Sequence, residues 1–417
     1  MANPKLAMIP TGYKAGKVYS VLPESGVGDF TFDRNSKATR VNEDGLIEVM
    51  DNDVPRLDYT DGGCPNFLLE PQSSNALPYS NKFLNTGWQY YRGTITDNAT
   101  ISPDGTLNAS KYQEDSQTGS HLFRRQSLSI TNGLSYTGSI FAKKGELTSI
   151  LLQSNSSSRW VASASFDLEN GTVTSGTGVI KNYGNGWYRC SISGDAVQTT
   201  TDAGIEMYTS VGAGRNGDGL FMYGAQFEQS SYPTSYIPTN GSTVTRVGET
   251  CNGAGDASTF NDSEGVLMAE ISALADDADT LRWINLNNGL TSNRVAFYYR
   301  PDINQLTYLV TSNNVGQVFL TITLSSASSF NKIVAKYKQN DFALWTNGFE
   351  VATDTSGNAP IGLNELSFDN AVGGDNFYGN TKQIQYFDSA LTDAELETLT
   401  SWQSFSEMAN GQNYTII

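Results

Sequence analysis

The sequence contains few of the residues on which hydrolytic enzymes and metal sites depend. Its 417 residues include one histidine and three cysteines. His121 is therefore the only candidate base for a serine or cysteine nucleophile, and its neighbourhood, TGSHLFRR, contains no nucleophile elbow. Cys64, Cys190 and Cys251 are odd in number and widely spaced, which predicts free thiols rather than a disulfide framework or a zinc site. We expect no metal site built on cysteine and no catalytic role for His121.

Positive charge and long apolar runs are scarce as well. Lys and Arg number 26 against 43 Asp and Glu, so the formal net charge is −17, and no basic cluster offsets it. Such a chain repels the phosphates of nucleic acids. No apolar run approaches the roughly eighteen residues of a membrane-spanning helix, and the opening residues MANPKLAMIP lack the pattern of a secretory signal. We therefore expect no nucleic-acid partner and no membrane insertion.

Glycine and tyrosine are abundant instead. The chain has 40 Gly and 21 Tyr, and only 17% of its residues are charged. Gly and Asn accept the positive φ angles of tight turns, whereas Tyr and Thr suit half-buried strands. Alternating stretches such as YTGSIFAKKG and the turn pair Asn170 and Gly171 agree with this composition. We predict a mostly β fold of tandem antiparallel β-sandwiches after a small β-rich amino-terminal segment.

The spacing of strand-like stretches and turn residues predicts five regions. They are a β-rich segment over 1–75, a first sandwich over 76–247, a linker over 248–263, a second sandwich over 264–402 and a polar tail over 403–417. The opening segment is too small to bury its own apolar residues. We therefore expect it to pack on the next domain or on another chain.

The only clear helix signal lies near the end of the chain, in LTDAELETLTSW. Thr392 is placed as the N-cap, and Glu395 three residues later completes a capping box. Leu391 and Leu396 are spaced for the hydrophobic staple that often accompanies such a box. We therefore predict one helix over 391–402. No heptad repeat is present, so assembly through a coiled coil is not expected.

Six stretches of the middle region resemble a known family of phage proteins. They are, in order, LPYSNKFLNTGW, ISPDGTLNASKY, YTGSIFAKKGE, FDLENGTV, NGWYRCSISG and YGAQFEQSSYPTSYIPT. Together they are similar to the jelly-roll domain of phage head spikes and tail fibres, which is related in shape to carbohydrate-binding modules. Three stretches of the last region, GVLMAEI, FALWTNGFEV and IQYFDSALTDAELETL, are similar to the laminin-G or concanavalin-like sandwich.

The resemblance implies a non-enzymatic structural protein of a bacteriophage virion, made in the host bacterial cytoplasm. It implies a head or tail fibre or spike that adheres to host-surface glycans. It further implies that segment 1–75 attaches to other virion proteins of the capsid or tail, and that the chain forms a homotrimer whose weak sugar contacts gain avidity. Two alternatives stay open. One is a glycan-degrading enzyme, which needs only two carboxylates, and the other is a capsid-decorating protein without receptor binding.

The stretch NGWYRCSISG belongs either to the rim of a binding site or to the scaffold. Asn185 begins a predicted turn, and the following residues alternate as in a strand. Cys190 and Ile192 are expected inside, which places Trp187 and Arg189 on the other face. Because fibre domains that need different receptors share this motif, we interpret it as scaffold.

Sugar binding calls for aromatic rings that stack on a pyranose and polar groups that bond its hydroxyls. The candidate platforms are Trp88, Tyr90, Tyr91, Trp160, Tyr183, Tyr298 and Tyr299. Adjacent tyrosines on a strand point to opposite faces, so each tyrosine pair would place one ring away from the core.

No cofactor is expected, although calcium is an alternative at one acidic stretch. Asp276, Asp277 and Asp279 bring three carboxylates together in ALADDADTLRW, and oxygen ligands are those that Ca²⁺ prefers. A solvated loop is the favoured interpretation of this stretch. Asp218 is interpreted as a turn residue.

Overall fold

The computed structural model describes residues 3–275, 281–402 and 407. These residues form antiparallel β-sheets almost throughout, which confirms the predicted fold class. The strands are β1 (Leu6–Met8), β2 (Tyr13–Lys14), β3 (Lys17–Val18), β4 (Phe30–Asp33), β5 (Ala38–Val41), β6 (Ile47–Met50), β7 (Arg56–Asp58), β8 (Asn66–Leu69), β9 (Ser73–Asn75), β10 (Trp88–Tyr91), β11 (Gly93–Ile101), β12 (Leu107–Glu114), β13 (Thr118–Ile130), β14 (Ser135–Lys144), β15 (Ser149–Ser154), β16 (Ser163–Asp167), β17 (Thr172–Gly176), β18 (Val179–Asn182), β19 (Trp187–Asp195), β20 (Thr200–Ala213), β21 (Gly219–Glu228), β22 (Val244–Arg246), β23 (Thr250–Asn252), β24 (Glu264–Ala273), β25 (Arg282–Asn287), β26 (Arg294–Arg300), β27 (Gln305–Ser312), β28 (Val315–Thr323), β29 (Asn331–Lys338), β30 (Phe342–Thr346), β31 (Phe349–Asp354), β32 (Glu365–Ser367) and β33 (Gly379–Phe387). A short 3₁₀ turn spans Pro301–Ile303, and the helix α1 spans Asp393–Thr400.

The chain divides into two compact units that do not follow the predicted boundaries. Unit 1 contains Met1–Asn35, Met50–Pro71 and Gly248–Ile417, and unit 2 contains Ser36–Val49 and Gln72–Val247. The opening residues are therefore shared between the two units instead of forming a segment of their own. No helix in the described part of the chain is long and apolar enough to cross a membrane.

Most of the opening residues belong to unit 1, because its main sheet supplies the neighbours that their short strands lack. That sheet has the order β31-β30-β29-β24-β33-β8-β7, and β1 also pairs with β33. Leu6, Phe67 and Leu69 from the opening residues are buried in the same apolar core as Leu267 and Ile384. Strands of three or four residues are not stable alone. Their incorporation into a larger sheet explains why no separate opening module forms.

Stretch 248–263, which was predicted to be a linker, is also part of unit 1. Strand β23 pairs with β4, and the side chains of Cys251 and Ala254 are fully buried. Gly253 and Gly255 have positive φ on either side of Ala254, and a turn follows at 257–259. The abundance of Gly, Asn and Asp in this stretch therefore indicated turns and not a flexible connection.

The second layer of unit 1 is a sheet with the order β28-β27-β26-β25-β32. Its inward residues, including Val295, Phe297 and Leu306, pack in the core with Leu267 of the main sheet. Asn340 and Asn347, which lie in the turns before and after β30, both have a positive φ.

Helix α1 covers the outer side of the main sheet of unit 1. The predicted capping box is present, and the backbone N–H of Thr392 donates to a carboxylate oxygen of Glu395 at 3.0 Å. Leu391 and Leu396 are buried against Val266 and neighbouring sheet residues, as the hydrophobic staple requires. The helix spans Asp393–Thr400 and is therefore shorter than the predicted range of 391–402.

Four buried charged side chains connect the three chain segments of unit 1. One carboxylate oxygen of Glu249 accepts hydrogen bonds from Arg34 (2.8 Å) and from Nε of Arg56 (2.9 Å), and its other oxygen forms an ion pair with Arg56. Arg56 also donates to Glu70 at 2.7 Å. Burial by itself lowers the pKa of Arg56, but Glu249 and Glu70 outweigh it, so that the pKa lies above the ordinary arginine value. The arginine charge is therefore retained at every accessible pH.

Unit 2 is a sandwich of two six-stranded sheets. The front sheet has the order β10-β13-β20-β15-β16-β17, and the back sheet has the order β11-β12-β21-β14-β19-β18. Their facing sides bury one core, in which Phe123 and Ile205 of the front sheet pack with Ile140 and Cys190 of the back sheet. The predicted hairpin at Gly171 is present between β16 and β17.

The outer face of the back sheet is covered by other parts of unit 2. Phe141, Trp187 and Tyr223 lie beneath Ile47 of the β5–β6 hairpin and beneath Tyr236. Trp187 is fully buried, and its indole N–H donates to the backbone carbonyl of Ile101 at 3.1 Å. The interpretation of NGWYRCSISG as scaffold agrees with this burial. The front sheet therefore provides the accessible face of this sandwich.

The buried charge cluster leads to a stability prediction for unit 1. We expect Glu249→Gln to lower the free energy of unfolding by about 3–5 kcal/mol, because it removes the carboxylate that both buried arginines share. Amide hydrogen exchange of β24 peptides in increasing denaturant measures this loss within unit 1. Glu264→Gln is the matched control. It removes a surface pair with Lys338 (2.8 Å) and should cost at most about 1 kcal/mol. Equal effects of the two substitutions would contradict the importance of the cluster.

Candidate functional site

Polar and aromatic side chains form two rows across the outer face of the front sheet. The cross-strand register places Gln89, Arg124, Glu206 and Gln153 in one row. The neighbouring row contains Tyr91, Leu122, Tyr208 and Leu151. The residues between them in sequence point the other way, into the core, because strand side chains alternate. Four strands thus present one continuous polar face.

Arg124 is the centre of this face. Its guanidinium donates to Gln89 (3.0 Å), to Glu206 (3.0 Å) and to the hydroxyl of Tyr91 (2.7 Å). It also lies over the Tyr91 ring, 4.7 Å from the ring centroid. These contacts fix both the arginine and the tyrosine before any ligand arrives. Tyr91 nevertheless remains 39% exposed, so its ring is accessible.

Glu206 provides the acceptor at the centre of the same face. Besides Arg124, its carboxylate accepts from the hydroxyl of Tyr208 at 2.8 Å and from the amide of Gln153 at 3.5 Å. Burial of Tyr208, together with the nearby charge of Glu206, raises the tyrosine pKa from 10 to about 12. The hydroxyl of Tyr208 therefore keeps its proton at physiological pH.

The arrangement is suited to binding rather than to bond cleavage. The carboxylate of Glu206 is nearly buried and has three donors, so it is not free to act as a nucleophile or base. Among the described residues, no group of three or more His, Cys, Asp or Glu side chains is placed to hold a metal ion. What the face offers is an aromatic ring with fixed donors and acceptors beside it.

Only one of the seven predicted sugar platforms lies on this face. Tyr91 is part of it, whereas Tyr90 is exposed (44%) and has the opposite strand orientation. Trp88 packs against Phe83 and Phe123 in the core of unit 2. Its assignment as a platform is therefore corrected.

Trp160 and Tyr299 are not accessible platforms, and Tyr183 is half-buried. Trp160 and Tyr299 are almost completely buried in the cores of units 2 and 1, respectively. Tyr183 packs edge-on against Phe141, with ring centroids 4.9 Å apart. These aromatic residues support the sandwiches because their large apolar surfaces are most stable inside.

Tyr298 lies on the outer face of the second sheet of unit 1. It stacks on Trp283 with ring centroids 4.2 Å apart, and Arg294 lies over that tryptophan at 4.9 Å. One side of the Tyr298 ring is therefore already occupied by protein. The expected alternation of the pair is nonetheless present, since Tyr299 enters the core.

The geometry around His121 argues against a serine hydrolase. Nδ1 of its buried ring lies 3.0 Å from the carbonyl of Gly119 and 3.1 Å from the hydroxyl of Ser210. Nδ1 is shared between the Gly119 carbonyl, which can only accept, and Ser210, so the ring is not dedicated to the hydroxyl as a catalytic base is. The other nitrogen faces a carboxylate oxygen of Asp115 at 3.4 Å.

The remaining site residues escaped the sequence analysis, which searched for aromatic residues and not for alternation of polar side chains. Glu206 and Tyr208 alternate with core residues in GIEMYTS, and Gln153 does so in SILLQS. That alternation was a usable signal. The acidic stretch containing Asp276, Asp277 and Asp279 lies outside the described residues, and Asp218 follows a turn, as predicted.

The raised pKa of Tyr208 gives a prediction about its titration. The folded protein holds this proton more tightly than the unfolded chain does. The stability contribution is thus complete below pH 10 and is lost as the pH rises through about 12. We expect the ultraviolet titration difference between wild type and Tyr208→Phe to have its midpoint near pH 12. In a Glu206→Gln background the midpoint should move toward pH 10, and a wild-type midpoint already near 10 would contradict the assigned contacts.

Comparison with known proteins provides structural likenesses only. No family model and no curated protein matches the chain. The carbohydrate-binding module CBM40 of an IT-sialidase from Ruminococcus gnavus is similar at 16% identity, with 35% of this chain and 87% of that chain covered and a TM-score of 0.30. A heptameric SAP-like pentraxin from Limulus polyphemus shows 13% identity, coverage of 34% and 71%, and a TM-score of 0.27. Domains LG4-5 of the mouse laminin alpha1 chain show 7% identity, coverage of 76% and 94%, and a TM-score of 0.22. With TM-scores below 0.5, these likenesses define neither a family nor a ligand for this chain.

Proposed function

We propose that this chain is a non-enzymatic glycan-binding protein and that the outer face of the front sheet holds the glycan. The observation that carries the proposal is the exposed Tyr91 ring fixed by Arg124, with the bonded pair of Glu206 and Tyr208 beside it. A pyranose presents an apolar ring face and a rim of hydroxyls. An aromatic ring surrounded by fixed donors and acceptors complements both features.

The pre-formed hydrogen bonds of the face support weak but specific sugar recognition. Arg124, Gln89 and Gln153 are held by protein partners, so little side-chain freedom remains to be lost when a ligand binds. Each hydroxyl of a sugar both donates and accepts, and it can therefore bond to an amide or to a carboxylate oxygen.

The distribution of charge places few restrictions on the glycan. Unit 2 has 14 Lys and Arg against 15 Asp and Glu, whereas unit 1 has 12 against 28. The acidic excess therefore lies almost entirely in unit 1. The net charge of the whole chain suggests repulsion of the acidic polysaccharides of a cell surface. Unit 2 is nearly neutral and does not repel them.

The biological setting that we propose is a bacteriophage head or tail fibre or spike that contacts host-surface glycans. The support is the resemblance of the six stretches of the middle region to phage fibre domains, together with the aromatic and polar face of the front sheet. In this setting the chain is located on the virion, assembles as a homotrimer and attaches to capsid or tail proteins. A trimer would multiply weak sugar contacts through avidity. The mass of the purified protein in solution tests the trimer.

The adhesin proposal predicts that the two adjacent exposed tyrosines differ in effect. Tyr91→Ala should weaken binding to an array of defined bacterial glycans by at least about tenfold, or ~1.4 kcal/mol, because it removes both the ring and an anchor of Arg124. Tyr90→Ala is the matched control and should bind as wild type does, since Tyr90 is equally exposed but points away from the face.

The same variants give a biological test of the proposal. Purified wild-type protein added to host cells should reduce phage adsorption in a dose-dependent way, and the Tyr91→Ala variant should not. Adsorption unaffected by excess wild-type protein would favour a capsid-decorating role. Reducing ends released from the glycan would instead indicate the enzyme alternative.

A further inference from the structure

A groove of mixed polar and apolar lining lies beside the proposed glycan face, toward β16 and β17. It has a volume of about 470 Å³ and is lined by Gln153, Ser154, Asn155, Ser156, Ser157, Val161, Ala162, Ser163, Gly176, Thr177 and Ser193. Gln153 belongs both to the groove and to the row that contains Arg124. The face and the groove are therefore contiguous through one side chain.

Asn155 has an unused hydrogen-bond acceptor in this groove. Its side-chain N–H donates to the backbone carbonyl of Asp202 at 3.0 Å, which fixes the orientation of the amide, since a carbonyl can only accept. The side-chain oxygen of Asn155 therefore points away from the carbonyl of Asp202. It is buried and has no hydrogen-bond partner among the described residues. A buried acceptor of this kind is normally satisfied, so a donor from a ligand or from water is expected there.

One residue of the groove wall, Gly176, is fixed as glycine by the pairing of β17 with β16. Gly176 has a φ of +73°, and a Cβ atom at this position would lie 2.1 Å from the carbonyl oxygen of Ser163. Only glycine fits there. Serine side chains form much of the remaining wall. The wall thus combines hydroxyls and amides with apolar surface, and a sugar presents both hydroxyls and an apolar ring face.

We propose that this groove is a second subsite of the glycan face, so that the ligand is an oligosaccharide and not a single sugar. The inference rests on the proposed glycan-binding function. Tyr91 on β10 and Gln153 on β15 are three strand positions apart, about 14 Å at the usual strand spacing. This distance exceeds one pyranose ring. An oligosaccharide that stacks one sugar on Tyr91 reaches Gln153 with its following sugars. The hydroxyls of those sugars then donate to Asn155 in the groove.

The test measures how tightly the full-length protein binds the members of a glycan array. The array contains each glycan at several lengths, from the single sugar to the oligosaccharide. Ser157→Trp fills the groove from an exposed position, and Asn155→Ala removes the unused acceptor. Thr96→Trp is the matched control because Thr96 is exposed on β11 of the back sheet. Thermal unfolding of each variant verifies that it is folded.

We expect wild type to bind oligosaccharides at least about tenfold more tightly than the corresponding single sugars. Both groove variants should lose that gain and keep the affinity for single sugars, and the control should behave as wild type. If affinity is independent of length and the groove variants bind as wild type does, the groove inference is wrong and the glycan-binding function stands. If no glycan on the array binds, or Tyr91→Ala binds as well as wild type, the proposed function fails and the groove inference fails with it.

Discussion

The fold of unit 1 depends on the ion cluster in which Glu249 bonds to Arg34 and Arg56. These residues come from three stretches of chain that are far apart in sequence, and their side chains are fully buried. Charges removed from water are costly unless every partner is present. The cluster therefore forms only when all three stretches are in place. It explains why the opening residues are not an independent module and why stretch 248–263 cannot behave as a flexible linker.

The location of the candidate site in unit 2 follows from what covers the other sheet. Both sheets of the sandwich have an inner face in the core, and the outer face of the back sheet lies beneath the β5–β6 hairpin and Tyr236. The front sheet has no such cover over β10, β13, β20 and β15 in the packing described, and on it Arg124 arranges Tyr91 and Glu206. The aromatic residues that the sandwich buries provide stability, and the less conspicuous polar residues of the front sheet provide the surface chemistry.

Sequence reasoning succeeded where the responsible interactions are local. The helix at Thr392 and the turn at Gly171 depend on residues within a few positions of one another, so their signals can be read directly. The candidate site could be predicted only in part. Tyr91 was identified because it is aromatic, whereas Arg124 and Glu206 owe their role to strands that meet from distant parts of the chain.

The sequence by itself determined the mostly β architecture, the free cysteines, the capped helix and the tight turns, because alternation, backbone preference and capping act over short distances. Tertiary structure alone decided which residues share a unit and which aromatic rings remain accessible. Trp160 and Tyr91 are both aromatic residues in strand-rich surroundings, yet one is completely buried and the other is exposed. The difference arises from strand pairing and from what covers each face. Both are set by long-range packing, which no local pattern encodes.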